Sequence, residues 1–189
     1  ISPYFANKAR KCEFENPIIL FYEKQISSVK EILPMLEMSV RDKRPLVIIC
    51  NDLSDEALAT ICKNVMSGAL KCVAIRLPEF GAKRFRVVSD LAKLTGGKFF
   101  TDANAKTMAA VSIKELGTCA KIIVTGNKTI ISGFSASQEI IDQLATSTKA
   151  EIEETADLKD REFLKSHLAK IKNGVAILKI GGISAVEVK

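Results

Sequence analysis

The side chains that could do chemistry in this chain are few, because it has a single histidine and five cysteines among 189 residues. His167 stands in a lysine-rich stretch with helical spacing, where a lone histidine is more often a surface or half-buried residue than a catalyst. The sequence contains no Gly-x-Gly-x-x-Gly or P-loop nucleotide motif, no Gly-x-Ser-x-Gly elbow and no His-Glu-x-x-His motif. This pattern disfavours a small-molecule enzyme.

The cysteines predict buried, reduced thiols. Their number is odd, they form no Cys-x-x-Cys pair, and most of them stand inside apolar segments. Lys63 follows Cys62 and could lower its thiol pKa, but no second catalytic partner stands nearby, so a structural thiol is the favoured interpretation. Reduced thiols indicate a reducing compartment, either the cytoplasm or an organelle. The cysteines are Cys12, Cys50, Cys62, Cys72 and Cys119.

Composition indicates one globular domain, because the chain is 47% apolar and 26% charged and no apolar run approaches the ~18 residues that a membrane span requires. A net charge of +6 is compatible with an anionic partner. The basic residues are scattered rather than clustered, which favours solvated faces over nucleic-acid binding. We therefore expect neither a nucleic acid nor a membrane as partner.

The elements that position these residues predict an α/β fold. Ile18–Tyr22 and Leu46–Cys50 are short apolar runs typical of buried strands. Ser28 and Glu31 form a capping box before a helix that contains Pro34, and Ser54 caps a second helix that ends at Gly68. Further strands are predicted at 70–77, 98–101 and 175–180, a helix at 83–95, a hairpin at 121–132, and a polar helical pair at 138 to about 153 and 158–172. This order predicts a mostly parallel sheet flanked by helices, with a C-terminal helical pair.

Two of the predicted helices carry more apolar residues than one core-facing stripe requires. Met35 and Met38 widen the stripe of the first helix. Such width is typical of a deeply buried helix, but it also fits a helix with one face in the core and its margin against a partner. The stripe of the second helix consists of Ala57, Leu58, Ile61, Cys62, Val65 and Met66.

Motifs in the same order along almost the whole chain resemble the apical domain of GroEL-type (group I) chaperonins. Those of the first half are Ser2-Pro3-Tyr4-Phe5, Asn7-Lys8, Ile26-Ser27, Leu33-Pro34-Met35-Leu36-Glu37, Arg44-Pro45-Leu46-Val47-Ile48-Ile49, Glu56-Ala57-Leu58-Ala59-Thr60 and Asn64-Val65-Met66-Ser67-Gly68. Those of the second half are Pro78-Glu79-Phe80-Gly81, Leu94-Thr95-Gly96-Gly97, Glu115-Leu116-Gly117, Asp160-Arg161-Glu162 and Gly174-Val175-Ala176.

The resemblance implies that residues 1–189 form a single apical domain, with about 180–189 leading back toward an intermediate domain. Such a domain captures apolar segments of non-native polypeptides and binds a GroES-type cochaperonin at the same groove. ATP and Mg belong to the equatorial domain of the full-length ring, so we expect no cofactor, no catalysis and a monomer for this domain alone. The implied binding residues are Ser2, Tyr4, Phe5, Leu33, Leu36, Leu58, Cys62, Lys63 and Asn64.

The chain departs from the family at several positions. Cys62 and Lys63 stand where two valines are usual, Ser67 where an arginine is common, and Glu79 and Ala82 where glycine and aspartate are favoured. The alternative is therefore a divergent chaperonin paralogue that acts as a specialised protein- or ligand-binding module. The breadth of polypeptide binding distinguishes the two.

Overall fold

The secondary structure of the chain follows its hydrophobic pattern. The computed structural model describes residues 11–77, 81–101, 108–126 and 128–179. The strands are β1 (Cys12–Glu15), β2 (Ile18–Tyr22), β3 (Gln25–Ile26), β4 (Leu46–Cys50), β5 (Asp52–Leu53), β6 (Cys72–Arg76), β7 (Phe99–Phe100), β8 (Gly117–Val124), β9 (Lys128–Phe134) and β10 (Val175–Lys179). The helices are α1 (Val29–Arg41), α2 (Asp55–Met66), α3 (Gly81–Leu94), α4 (Gln138–Glu154) and α5 (Leu158–Lys172).

The main sheet has two halves of different character. β2, β4 and β6 pair in parallel, and every residue of β2 and β4 is buried. Burial on both faces explains why these strands are continuously apolar. In the other half β1, β9 and β2 pair antiparallel with β8, and β10 pairs antiparallel with β9. The α/β class is thus confirmed, but the sheet is mixed, and the predicted parallel order holds for one half of it.

The chain connections decide which face each helix covers. β2, β4 and β6 lie side by side in the sheet, in the same order as in the chain. Right-handed crossovers between them therefore place α1 and α2 on one face, where they contact each other. Phe21 of β2 pairs with Ile49 of β4 on one side and with Phe99 of β7 on the other. The connection from β6 through α3 to β7 therefore reverses direction. This reversal places α3 on the opposite face, where it contacts α4.

The predicted N-terminal caps of α1 and α2 are present. The backbone N–H of Ser28 donates to Glu31 Oε1 at 2.9 Å, and the Ser28 hydroxyl accepts from the Lys30 N–H at 3.3 Å. The Ser54 hydroxyl accepts from the Ala57 N–H at 3.2 Å. These bonds satisfy backbone donors that the first helical turn leaves without a partner.

A close backbone approach joins the end of α3 to the start of β8. A Cβ atom on Gly97 would collide with the backbone of Gly117. The Thr118 N–H donates to the Thr95 carbonyl at 2.8 Å, and the Lys98 N–H donates to the Glu115 carbonyl at 2.8 Å. Only glycine fits such contact, which gives a structural reason for the glycines in two of the quoted motifs.

The C-terminal helices form the predicted pair. α4 and α5 contact each other, and the three residues between them suit an antiparallel arrangement. Their bounds agree with the prediction to within one residue, whereas β1, β3 and β5 were not predicted. Within the described ranges, no helix combines the length and the apolar character needed to cross a membrane.

Candidate functional site

The candidate site is the outer side of α1 and α2, and α1 shows how apolar residues come to be exposed there. Ile32 and Met35 point into the core and are fully buried. Leu33, Leu36 and Val40 follow at spacings of three and four residues, which places them on one flank of the helix. Leu33 is 45% exposed and Val40 56% exposed, while Leu36 is half-buried against the core.

α2 repeats this arrangement. Ala57 and Ile61 are buried in the core, and Leu58 is half-buried against it. Leu58, Cys62 and Met66 recur every four residues on one flank, and Met66 at the end of the helix is 70% exposed. We call the set Leu33, Leu36, Val40, Leu58 and Met66 the α1–α2 surface. The broad stripes of the sequence thus correspond to a buried centre and a partly exposed margin.

The predicted binding residues of the second helix lie in different surroundings. Cys62 is 6% exposed and part of the core, and burial raises the pKa of its thiol. Lys63 is exposed and lies about 140° around the helix from Leu58. Asn64 is exposed, and its amide donates to the Thr60 carbonyl at 2.8 Å. Cys62 therefore offers little surface in the free domain, whereas Lys63 stands at the margin of the α1–α2 surface.

The remaining predicted binding residues, Ser2, Tyr4 and Phe5, lie outside the described residues, and so does Glu79.

The thiols are unsuited to nucleophilic chemistry. All five cysteines are unpaired and buried, as the sequence predicts. Burial raises the pKa of Cys50 to about 12 and those of Cys12 and Cys119 to about 11. At neutral pH these groups are protonated, and only a thiolate is an effective nucleophile.

His167 lies in a buried polar network that the sequence did not predict. It is only 6% exposed, not a surface or half-buried residue, and its Nε2 lies 2.9 Å from Oδ2 of Asp90, which is 3% exposed. Since an ionised carboxylate only accepts hydrogen bonds, Nε2 carries the hydrogen. His167 shares helical spacing with the buried Leu164 and Ile171, and this was the available signal in the sequence.

Arg86 extends the network from α3 to α4. Its Nε donates to Asp90 Oδ2 at 2.7 Å, another nitrogen donates to the Thr148 hydroxyl at 2.9 Å, and it forms an ion pair with Glu151. Burial alone would raise the pKa of the Asp90 carboxyl, but hydrogen bonds from His167 and Arg86 outweigh burial and lower that pKa. The third side chain of the network, beside Asp90 and His167, is thus the guanidinium of Arg86, which cannot act as a nucleophile. The geometry indicates a structural tie between helices.

Comparison of the sequence with models of known protein families finds no match. Among the described residues, no group of three or more His, Cys, Asp and Glu side chains is placed to hold a metal ion. The resemblance to chaperonin apical domains therefore depends on the ordered motifs of the sequence.

Proposed function

We propose that this chain is the polypeptide-binding apical domain of a group I chaperonin, which captures exposed apolar segments of non-native proteins on the α1–α2 surface. The observation that carries the proposal is the exposure of Leu33, Val40 and Met66 on two helices that contact each other. Apolar groups exposed together on a folded domain mark interaction sites. Side-chain contacts of this kind tolerate many sequences, since they require no fixed hydrogen-bond pattern.

The energetics of this surface favour weak binding by one domain and strong binding by a ring. Five apolar side chains at ~1.5–3 kcal/mol each contribute about 10 kcal/mol, and association costs of ~4–15 kcal/mol offset much of this. Several copies around one cavity raise the avidity about 10²- to 10⁴-fold without a new contact. In the full-length ring, a GroES-type cochaperonin would compete for the same surface and release the client.

Breadth of binding tests the proposal. The domain, immobilised in many copies, is titrated with a panel of unrelated proteins held unfolded, and we expect all of them to bind. Leu33→Glu should weaken capture of every member. Leu158→Glu is the matched control, because Leu158 is 72% exposed at the start of α5, away from α1 and α2. Capture of one panel member only would instead support a specialised binding module.

Competition distinguishes this proposal from nonspecific stickiness. A peptide copied from the mobile loop of a GroES-type cochaperonin should displace the bound proteins, and Leu33→Glu should weaken binding of the peptide as well. Loss of capture in Leu33→Glu and Leu158→Glu alike would contradict a site on α1 and α2. We expect no ATP turnover by the isolated domain, and turnover that co-purifies with it would contradict the assignment.

A further inference from the structure

A small cavity lies on the opposite face of the sheet from the α1–α2 surface, between α3, α5, β9 and β10. Its volume is about 40 Å³, and its walls are mostly apolar side chains from all four elements. One buried water molecule occupies ~10–15 Å³ of a cavity. A cavity of this size therefore accommodates about three or four non-hydrogen atoms, each counted as one water. Its apolar walls include Val87, Leu91, Phe134, Phe163, Ala176 and Ile177.

Two polar residues of α5 complete the lining, and they lie on one side of that helix. His167 and Lys170 are three residues apart, so their side chains are neighbours. The hydrogen bond to Asp90 and stacking against Phe163 hold the imidazole in place. Lys170 is half-buried and has no ion-pair partner among the residues that the structure describes. A cation that pairs with none of the described carboxylates therefore borders an apolar cavity.

We propose that this cavity binds a small branched aliphatic monocarboxylate, with its hydrocarbon in the cavity and its carboxylate on the Lys170 ammonium. The apolar walls favour hydrocarbon, and the cavity volume limits it to about three or four carbons. The single ammonium, which has no partner among the described residues, favours one negative charge, because a second charge would lose its hydration without gaining a partner. This site is separate from the α1–α2 surface and does not depend on the proposed function.

Isovalerate is the probe, and 3-methyl-1-butanol is its neutral counterpart of the same shape. Titration of the ¹⁵N-labelled domain, followed by amide chemical shifts, should give saturable shifts in α3, α5 and β10 with a Kd of about 1 mM for isovalerate. The alcohol should bind about three- to fivefold more weakly, because it lacks the ion pair.

Two variants and one control test the two halves of the site. Lys170→Met keeps the apolar stem and should reduce the affinity for isovalerate to that for the alcohol or below it, because the carboxylate then has no partner. Ala176→Val adds methyl groups at a buried position of the cavity and should abolish binding of both probes. Lys165→Met removes an exposed lysine from another side of α5 and should leave both affinities unchanged.

Several outcomes would overturn the proposal. They are the absence of saturation by isovalerate, equal affinities for acid and alcohol, and an undiminished affinity in folded Lys170→Met. If Ala176→Val fails to fold, the comparison of Lys170→Met with Lys165→Met still decides.

Discussion

The two helical layers of this domain differ in how their side chains interact. On one face of the sheet, α1 and α2 leave Leu33, Val40 and Met66 exposed. On the other face, Asp90 of α3 is 3% exposed and hydrogen-bonded to His167 of α5, while Arg86 of α3 bonds both Asp90 and, on α4, Thr148 and Glu151. A surface that binds varied partners benefits from apolar groups without fixed bonds, whereas a buried ionic network gives a helix one specified position.

The largest effect should follow removal of the central carboxylate of the network. Asp90→Ala leaves Arg86 and His167 without their shared acceptor in a buried site, and we expect the free energy of unfolding to fall by about 3 kcal/mol. Urea denaturation measures this loss. Capture of unfolded proteins by the remaining folded domain should not change, because Asp90 lies on the face opposite to α1 and α2. Asp142→Ala, on the exposed side of α4, is the control and should cost at most ~0.5 kcal/mol.

A substitution on the α1–α2 surface should weaken binding and leave stability almost unchanged. Leu33→Glu places a charge on a side chain that is already 45% exposed, so the free energy of unfolding should change by no more than ~0.5 kcal/mol. Capture should fall about tenfold or more, because burial of a leucine contributes ~1.5–3 kcal/mol. Binding titrations and urea denaturation of the same sample separate the two effects. Intact capture by the stably folded variant would remove Leu33 from the site.

Leu36→Glu and Leu58→Glu should behave differently from Leu33→Glu. Both leucines are half-buried and pack against the core, so a glutamate there loses packing and brings charge next to apolar groups. We expect each to weaken capture and also to lower the free energy of unfolding by about 1–2 kcal/mol. A loss of capture without destabilisation would show that these leucines contribute less to the core than their contacts indicate.

A smaller effect concerns acid. The pKa of Asp90 is lower in the folded protein than its ordinary value. As the pH falls, the unfolded chain therefore binds more protons at this carboxyl than the folded protein does. The stabilising contribution of Asp90 is therefore present above about pH 4 and is lost as the pH falls through the folded pKa. Asp90→Asn should show a shallower decline of unfolding free energy below pH 4 than the wild type. Parallel curves for the two proteins would contradict this assignment of the acid sensitivity.

The smallest effect should come from Lys63 at the margin of the α1–α2 surface. Its ammonium can point outward while its methylene stem contacts a bound segment, so Lys63→Val should strengthen binding of an apolar peptide only about threefold. The wild type should prefer a peptide that mixes apolar and acidic residues, and that preference should weaken as salt rises. Titration of both peptides against both variants at two salt concentrations measures this. Equal affinities of the two variants for the apolar peptide would place Lys63 outside the site.

Much of the fold could be predicted because its signals are local. The buried runs Ile18–Tyr22 and Leu46–Cys50, the capping box of Ser28 and Glu31, and the extents of α4 and α5 each depend on residues close together in the chain. Local signals predicted the α1–α2 surface only in part. The excess of apolar residues on α1 and α2 indicated two alternatives, deep burial or a binding margin, and local spacing could not choose between them.

By itself the sequence determined the five helices, most of the strands, the N-caps of α1 and α2 and the apolar excess on two neighbouring helices. The tertiary structure decided that half of the sheet is antiparallel, that Cys62 is buried while Lys63 is exposed, and that His167 meets Asp90, which lies 77 residues away in the chain. The physical reason is that strand pairing and side-chain burial depend on groups far apart in the chain. Hydrophobic periodicity specifies which side of an element faces inward, but it does not specify which other element that side will meet.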